Sequence, residues 1–157
     1  MQAACRTSAC QGVPAAVGFA KTFWRLKVSG LENVPATGAY LLAPGAHRSN
    51  IDTLVVAAVT RRRMRFIGKD TMWKYGFSAW FFSSMGGIPV HREGADRQAV
   101  KLAQEVLESG EPVVMFPEGT RLAGPVIEPD KMFDGPSFVA ARAQVPILPA
   151  GIGGGAK

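Results

Sequence analysis

The run Pro44-Gly45-Ala46-His47-Arg48-Ser49-Asn50-Ile51-Asp52 separates two apolar stretches of the chain. Residues 39–43 before it are apolar throughout, as in a buried strand, and residues 53–59 after it have the composition of a helix. A histidine and an aspartate therefore lie at a predicted strand-to-helix turn, where side chains can stand exposed above the end of a sheet. We interpret this turn as the place around which the rest of the chain is arranged.

The spacing of His47 and Asp52 restricts how they can meet. Residues five apart lie on different faces of one continuous helix. The two side chains can meet only if His47 lies in the turn and Asp52 in the first helical turn, with Ser49 or Asn50 as the N-cap. Asp52 would then accept a hydrogen bond from Nδ1–H of His47 and leave Nε2 free as a general base. An ordinary surface or core imidazole is the alternative.

Composition sets limits on the class of protein. The chain has 157 residues, of which 47% are hydrophobic and 19% charged, which predicts one globular domain with a substantial core. Each apolar stretch is interrupted before the roughly 18 residues that a membrane-spanning helix needs, so we expect no such helix. Lysine and arginine total 18 against 12 acidic residues, a net charge of +6. This excess fits a solvated surface or attraction to an anionic phospholipid surface, phosphorylated substrate or nucleic acid.

The amino-terminal region is weakly patterned. Both cysteines, Cys5 and Cys10, lie there, which favours reduced thiols in a cytosolic protein over a disulfide. No signal peptide is recognisable. We expect residues 1–12 to form a loose tail and residues 13–26 a short amphipathic helix. That helix either packs on the domain or lies in a membrane interface with Trp24 at the level of the headgroups.

Strands and helices are predicted to alternate along the rest of the chain. This order predicts an α/β fold with a mostly parallel mixed sheet flanked by helices, in a single domain. Helices are predicted at 53–60, 95–109 and 135–143. Strands are predicted at 27–31, 39–43, 64–68, 112–116 and 145–149, with a turn and a short strand within 86–92.

Two further segments each permit more than one interpretation. Four arginines, Arg61, Arg62, Arg63 and Arg65, either complement the end of a helix or contact anionic headgroups. Residues 69–86 are the most aromatic part of the chain. By default such a cluster is core, but part of it could line an acyl-chain groove or touch lipid.

Four short blocks, in this order, resemble the motifs of the glycerolipid acyltransferase family, the PlsC-like lysophosphatidate acyltransferases. Residues 47–52 match its H-x-x-x-x-D block, and residues 87–92 match its G-x-x-x-x-R block. Residues 116–121 match its F-P-E-G-T-R block at every position, and residues 145–149 match V-P-I-x-P. The lead-in at residues 30–35 is also similar to the segment that this family places ahead of its histidine.

The chain departs from the family pattern at several positions. Ala46 stands where the family usually has asparagine, and His91 where an acidic or small residue is common. Asp134-Gly135 replaces the more usual Lys-Gly, so a basic contact is missing there. We expect residues 27–157 to form the acyltransferase domain, truncated at its C-terminus because family members generally run on further.

The resemblance implies transfer of a fatty acyl group from acyl-CoA or an acyl carrier protein to the free hydroxyl of lysophosphatidate. It assigns His47 as general base with Asp52 as its partner. The residues that it implies for substrate binding are Arg92, Glu118, Gly119, Thr120 and Arg121. Arginine holds phosphate oxygens bidentately, Gly119 could add a backbone N–H and Thr120 a hydroxyl, while Glu118 would orient an arginine or the acceptor hydroxyl.

The implied reaction needs no cofactor beyond the acyl thioester. We expect no metal, since His47 and His91 have no cysteine or carboxylate cluster at ligand spacing. The expected location is peripheral, on the cytoplasmic side of the cell membrane, without a nucleic-acid partner. Two alternatives stay open: another lysophospholipid or a glycolipid as acceptor, or a non-catalytic basic module that binds membrane or nucleic acid through its arginines.

Overall fold

The computed structural model describes residues 27–45, 52, 55–56, 62–90, 95–119 and 132–153. The predicted amino-terminal tail and helix, residues 1–26, lie outside these ranges. The strands are β1 Leu41–Gly45, β2 Arg65–Lys69, β3 Gly87–Val90, β4 Val113–Val114 and β5 Ile147–Gly151. The helices are α1 Gly76–Ser84, α2 Ala95–Glu108 and α3 Gly135–Ala143, with 3-10 turns at Leu31–Asn33 and Asp70–Trp73.

The five strands form one sheet in the order β3-β2-β4-β1-β5. Each neighbouring pair in this order is parallel; for example, Leu42 of β1 pairs with Val114 of β4 and Leu148 of β5. The predicted α/β class is therefore confirmed. The antiparallel component implied by a mixed sheet does not occur among the described strands.

Hydrophobic clusters cover both faces of the sheet, as parallel sheets require. On one face the buried side chains are Tyr40, Leu42, Val56, Met64, Phe66 and Val114. On the other face Leu41 and Val113 pack with side chains from the two helices α2 and α3, which are Ala103, Leu107, Val139 and Ala140. Alternate residues of β1 and β4 thus point to opposite layers. The amphipathic pattern predicted for residues 95–109 is confirmed by the burial of Ala103 and Leu107.

A glycine makes room for an aromatic side chain beneath α1. Gly87, which pairs with Phe66, would carry a Cβ only 2.7 Å from Cζ2 of Trp73 and 2.8 Å from the carbonyl oxygen of Phe82. Such a contact does not fit without displacement, so this position requires glycine. The Trp73 indole also donates a hydrogen bond to the Ser83 hydroxyl at 3.0 Å. Trp73 therefore ties α1 to the sheet face that carries Phe66.

Some sequence predictions differ from the structure. The predicted strand at 27–31 is wrong, because Gly30 adopts a left-handed backbone with φ of 80° and a 3-10 turn begins at Leu31. The last strand lies two residues later than predicted, and β4 is limited to two residues. The default core assignment is also wrong for three aromatic residues of the 69–86 segment: Tyr75, Phe77 and Trp80 are 70%, 76% and 66% exposed.

Two of the four clustered arginines bind other parts of the protein at the amino edge of the sheet. Arg62 donates hydrogen bonds to the carbonyl oxygens of Pro35 and Gly38 and lies over the Tyr40 ring. Arg65 begins β2 and forms a two-pronged ion pair with Glu111, with Nε–Oε2 at 2.5 Å and Nη2–Oε1 at 3.2 Å. Both side chains thus have structural partners.

Candidate active site

The strand order identifies a crevice at the carboxyl edge of the sheet. From β1 the chain continues to β2, which lies beyond β4, whereas from β4 it continues to β5, which lies beyond β1. The two neighbouring strands therefore send their connections in opposite directions. In open parallel sheets, ligands bind at such a switch point, outside the carboxyl ends of the strands. Residues 47–52 follow β1 and residues 116–121 follow β4, so both blocks leave the sheet at this point.

Asp52 is buried on the helical segment that follows β1. Asp52, Val55 and Val56 are helical, and Asp52 is only 7% exposed. Val56, one turn further along, packs against the sheet beside Leu42 and Val114. Residues four apart share a helix face, so Asp52 points toward the protein on the side of Val56 and one turn closer to the end of β1. Asp52 is thus helical and buried, and its predicted pairing with His47, which lies outside the described residues, stays a prediction.

The segment after β4 forms a tight turn. Met115 N–H donates to the Leu42 carbonyl oxygen at 3.0 Å, which extends the contact between β4 and β1. Gly119 N–H then donates to the Phe116 carbonyl oxygen at 3.1 Å, and Phe133 N–H donates to the Pro117 carbonyl oxygen at 2.7 Å. The first of these hydrogen bonds thus holds the segment against β1, the second closes the turn, and the third joins the turn to the residue that lies two positions before α3.

Glu118 lies inside this turn with 1% of its surface exposed. Asp52 and Glu118 are the two acidic side chains that are buried among the described residues, and each takes part in a polar or electrostatic interaction. Burial of a carboxylate is costly unless it is paired or hydrogen-bonded. Burial of two carboxylates beside the same switch point therefore lowers the free energy of unfolding, and hydrophobic packing does not explain it. Such unfavourable burial of charged groups is common at functional sites.

Gly119 adopts a conformation that favours glycine. Its φ is +62°, and an added Cβ would lie 3.4 Å from Cδ2 of Phe133. The Gly119 N–H is already bonded to Phe116, so the expected contact of this N–H with phosphate would have to share that hydrogen bond. Phe133, whose ring is 65% exposed, closes over the turn. Sequence reasoning missed this ring, because no motif includes it and thirteen residues separate it from Gly119 along the chain.

Four predicted site residues, His47, Arg92, Thr120 and Arg121, lie outside the described ranges. In sequence, His47 follows the end of β1 by two residues and Arg92 follows the end of β3 by two. Thr120 and Arg121 come directly after Gly119. Their assignments as base and substrate ligands stay predictions. Within the described part of the chain, no three or more His, Cys, Asp and Glu side chains group as a metal site would need.

The fold and these blocks define a class: parallel α/β domains with a reaction site at the switch point of the sheet. The acyltransferase family model matches residues 25–153, and the chain belongs to this family. A chloroplastic 1-acyl-sn-glycerol-3-phosphate acyltransferase of Brassica napus is 28% identical over 137 residues, covering 86% of this chain and 39% of that protein. The Pseudomonas aeruginosa enzyme of the same name is 29% identical over 128 residues, covering 80% of this chain and 48% of that protein.

A solved structure supports the same fold. The 1-acyl-sn-glycerophosphate acyltransferase PlsC from Thermotoga maritima superposes with a TM-score of 0.64 at 25% identity, over 89% of this chain and 55% of that one. The chain thus spans about half or less of the length of these three relatives. Among the helices in the described ranges, none is long and apolar enough to cross a bilayer.

Proposed function

We propose that this protein transfers a fatty acyl group from a thioester to the free hydroxyl of lysophosphatidate, giving phosphatidate. The observation that carries the proposal is that β1 and β4, the strands that lead into the H-x-x-x-x-D and F-P-E-G-T-R blocks, are neighbours in the sheet. Each block brings one buried carboxylate, Asp52 or Glu118, to the switch point. The names of the relatives from Brassica napus and Pseudomonas aeruginosa support this choice of acceptor.

In the proposed reaction His47 is the general base. Its Nε2 takes the proton of the acceptor hydroxyl while that oxygen attacks the thioester carbonyl carbon. Asp52 accepts a hydrogen bond from Nδ1–H, orients the ring and stabilises the imidazolium. The tetrahedral intermediate then collapses, the carbon–sulfur bond breaks, and the imidazolium returns its proton to the leaving thiolate. A thioester is already activated, so the reaction needs no serine or cysteine nucleophile.

The spacing of the strands supports a phosphate position beside the base. Neighbouring strands lie about 4.8 Å apart, so the ends of β3 and β4, separated by β2, are about 10 Å apart. Arginine side chains from Arg92 and Arg121 would reach a phosphate between those ends, while His47 follows β1 on the other side of β4. Thr120 would add a hydroxyl. The deep burial of Glu118 favours its orienting an arginine over touching the acceptor.

The donor in this proposal is acyl-CoA or an acyl carrier protein, and no other cofactor takes part. The protein would work as a peripheral enzyme on the cytoplasmic side of the cell membrane, where both lipid substrate and thioester are accessible. Another lysophospholipid or a glycolipid remains an alternative acceptor. The basic-module alternative loses support, because Arg62 and Arg65, two of its four arginines, already bind protein groups.

The test is thiol release from oleoyl-CoA in the presence of detergent-dispersed lysophosphatidate. For His47→Ala we expect release to fall by about 10²–10⁴-fold, the usual contribution of a general base, with an unchanged melting temperature. His91→Ala is the matched control, since His91 is the other of the two histidines in the chain. Release that does not depend on acceptor, or that survives in His47→Ala, contradicts the proposed function.

A further inference from the structure

Helix α1 presents aromatic side chains to solvent. Phe77 is 76% exposed, Trp80 is 66% exposed, and Tyr75 immediately before the helix is 70% exposed. The ring centroids of Phe77 and Trp80 are 6.0 Å apart, so the two rings form one continuous surface. We call Tyr75, Phe77 and Trp80 the aromatic surface of α1. Soluble proteins rarely leave such adjoining large apolar side chains uncovered without a binding role.

The composition of α1 differs from that of an ordinary surface helix. Its nine residues include no charged side chain, and none of them is buried. Three of the nine are serines and the other six are glycine, alanine or aromatic, so α1 lacks the charged outer face that an ordinary surface helix carries. The inner side of α1 is already used, because Phe82 packs against Trp73 with ring centroids 5.5 Å apart. The exposed aromatic surface on the outer side therefore has the composition of a contact surface.

Two lysines precede this surface along the chain, on either side of the Asp70–Trp73 turn. Lys69 ends β2, Lys74 precedes Tyr75, and both lysines are exposed. Tryptophan and tyrosine are enriched at membrane–water interfaces, and neighbouring lysines are attracted to anionic headgroups. A net charge of +6 for the chain acts in the same direction. Aromatic rings beside lysines fit a bilayer surface better than they fit a protein partner with an apolar groove.

The direction of α1 relates this surface to the candidate site. The chain leaves β2 at the carboxyl edge, turns through Asp70–Trp73 and enters α1, which returns toward the start of β3. Tyr75 and Phe77 therefore lie at the end of α1 that is nearer to the carboxyl edge, and Trp80 lies at the middle of the helix. A bilayer that touches Tyr75 and Phe77 would lie beside the edge from which residues 47–52 and 116–121 emerge.

We propose that the aromatic surface of α1, together with Lys69 and Lys74, binds the interface of an anionic phospholipid bilayer and presents the carboxyl edge of the sheet to it. The inference rests on the proposed function for its choice of a lipid partner. The inference goes beyond the proposed function because it names α1 as the element that contacts the bilayer. Vesicle binding is measured without turnover, so a failure of this inference is distinguishable from a failure of the proposed acyl transfer.

The experiment is co-sedimentation of the full chain with phosphatidylcholine vesicles that contain about one quarter phosphatidylglycerol. For the double variant Phe77→Gln/Trp80→Gln we expect the partition coefficient to fall at least about tenfold, because two interfacial anchors are lost. For Lys69→Gln and Lys74→Gln we expect a decrease of roughly fivefold each on these vesicles and little change on neutral ones. The rate of acyl transfer to detergent-dispersed acceptor should stay unchanged in the double variant.

Phe138→Gln is the matched control, since Phe138 is a 54% exposed phenylalanine on α3, the helix that packs on the opposite face of the sheet. Equal losses in this control and in the α1 variant would overturn the assignment to α1. Vesicle binding that is unchanged in the α1 variant would also overturn it. If vesicle binding is unchanged, a lower melting temperature of the α1 variant would indicate that another segment of the chain covers the surface. An altered oligomeric state of the α1 variant would indicate that a second copy covers it.

Discussion

The charged residues described at the two edges of the sheet differ in how deeply they are buried. At the amino edge, Arg65 and Glu111 pair with each other while remaining 28% and 41% exposed, so solvent screens much of their interaction. At the carboxyl edge, Asp52 and Glu118 are almost fully buried. Charges at the first edge help to hold β2 and β4 in register, whereas charges at the second edge are desolvated at a switch point. The difference teaches that burial, more than the presence of charge, separates a candidate site from a structural ion pair.

The largest expected effect lies at the carboxyl edge. Asp52→Asn keeps the size of the side chain but removes the charge that would orient His47. We expect kcat to fall by about 10³–10⁴-fold, because the imidazole loses its correct tautomer and its imidazolium loses a stabilising partner. Steady-state kinetics with oleoyl-CoA, alongside a melting curve, measure this. Activity within about threefold of wild type, far short of that loss, would mean that burial of Asp52 serves only the fold.

A second prediction concerns the amino end of β3, where no charge is involved. Gly87→Ala would put a methyl group against Trp73 and the Phe82 carbonyl oxygen, and we expect the free energy of unfolding to fall by about 2–3 kcal/mol. The control is Gly135→Ala in the first turn of α3, where an added Cβ meets nothing within 4 Å. Urea denaturation of both variants gives the comparison. Equal stabilities for the two variants would show that α1 moves away from the sheet at little cost.

The smallest effect is expected from the ion pair at the amino edge. Glu111→Gln removes one partner of Arg65, and we expect a loss of about 1 kcal/mol or less because the pair is exposed, with kcat unchanged. Asp52→Asn and Glu111→Gln are thus isosteric charge removals at opposite edges. A larger loss of activity from Glu111→Gln than from Asp52→Asn would reverse the comparison between the edges.

The same ion pair predicts a pH dependence. The hydrogen bond from Arg65 lowers the pKa of Glu111 below its ordinary value, burial opposes this, and the positive charges of Arg65 and Arg63 add to the lowering. The unfolded chain therefore binds this proton more readily, and stability from the pair is fully present above the ordinary pKa of 4.5. It is lost as pH falls through the lowered pKa of the folded state. The difference in melting temperature between wild type and Glu111→Gln should accordingly shrink as the pH is lowered below 4.5.

Much of the fold was predictable because its signals are local. The apolar run before His47 predicted β1, and the spacing of Ala103 and Leu107 predicted the buried stripe of α2. Gly30 misled the strand prediction at 27–31, since the left-handed turn that it permits competes with extension of the apolar residues beside it. The exposure of Phe77 and Trp80 was not predictable. A run of apolar residues has the same pattern whether it is covered by protein or by something else.

The sequence by itself determined the α/β class, the family and the four blocks, because these depend on residue identity and short spacings. Only the tertiary structure decided that β1 and β4 are neighbours whose connections diverge, since sheet order depends on contacts between residues about 70 positions apart. It also decided which charges are buried and which are solvated. Burial depends on what the rest of the chain places around a side chain, and neither composition nor periodicity specifies that.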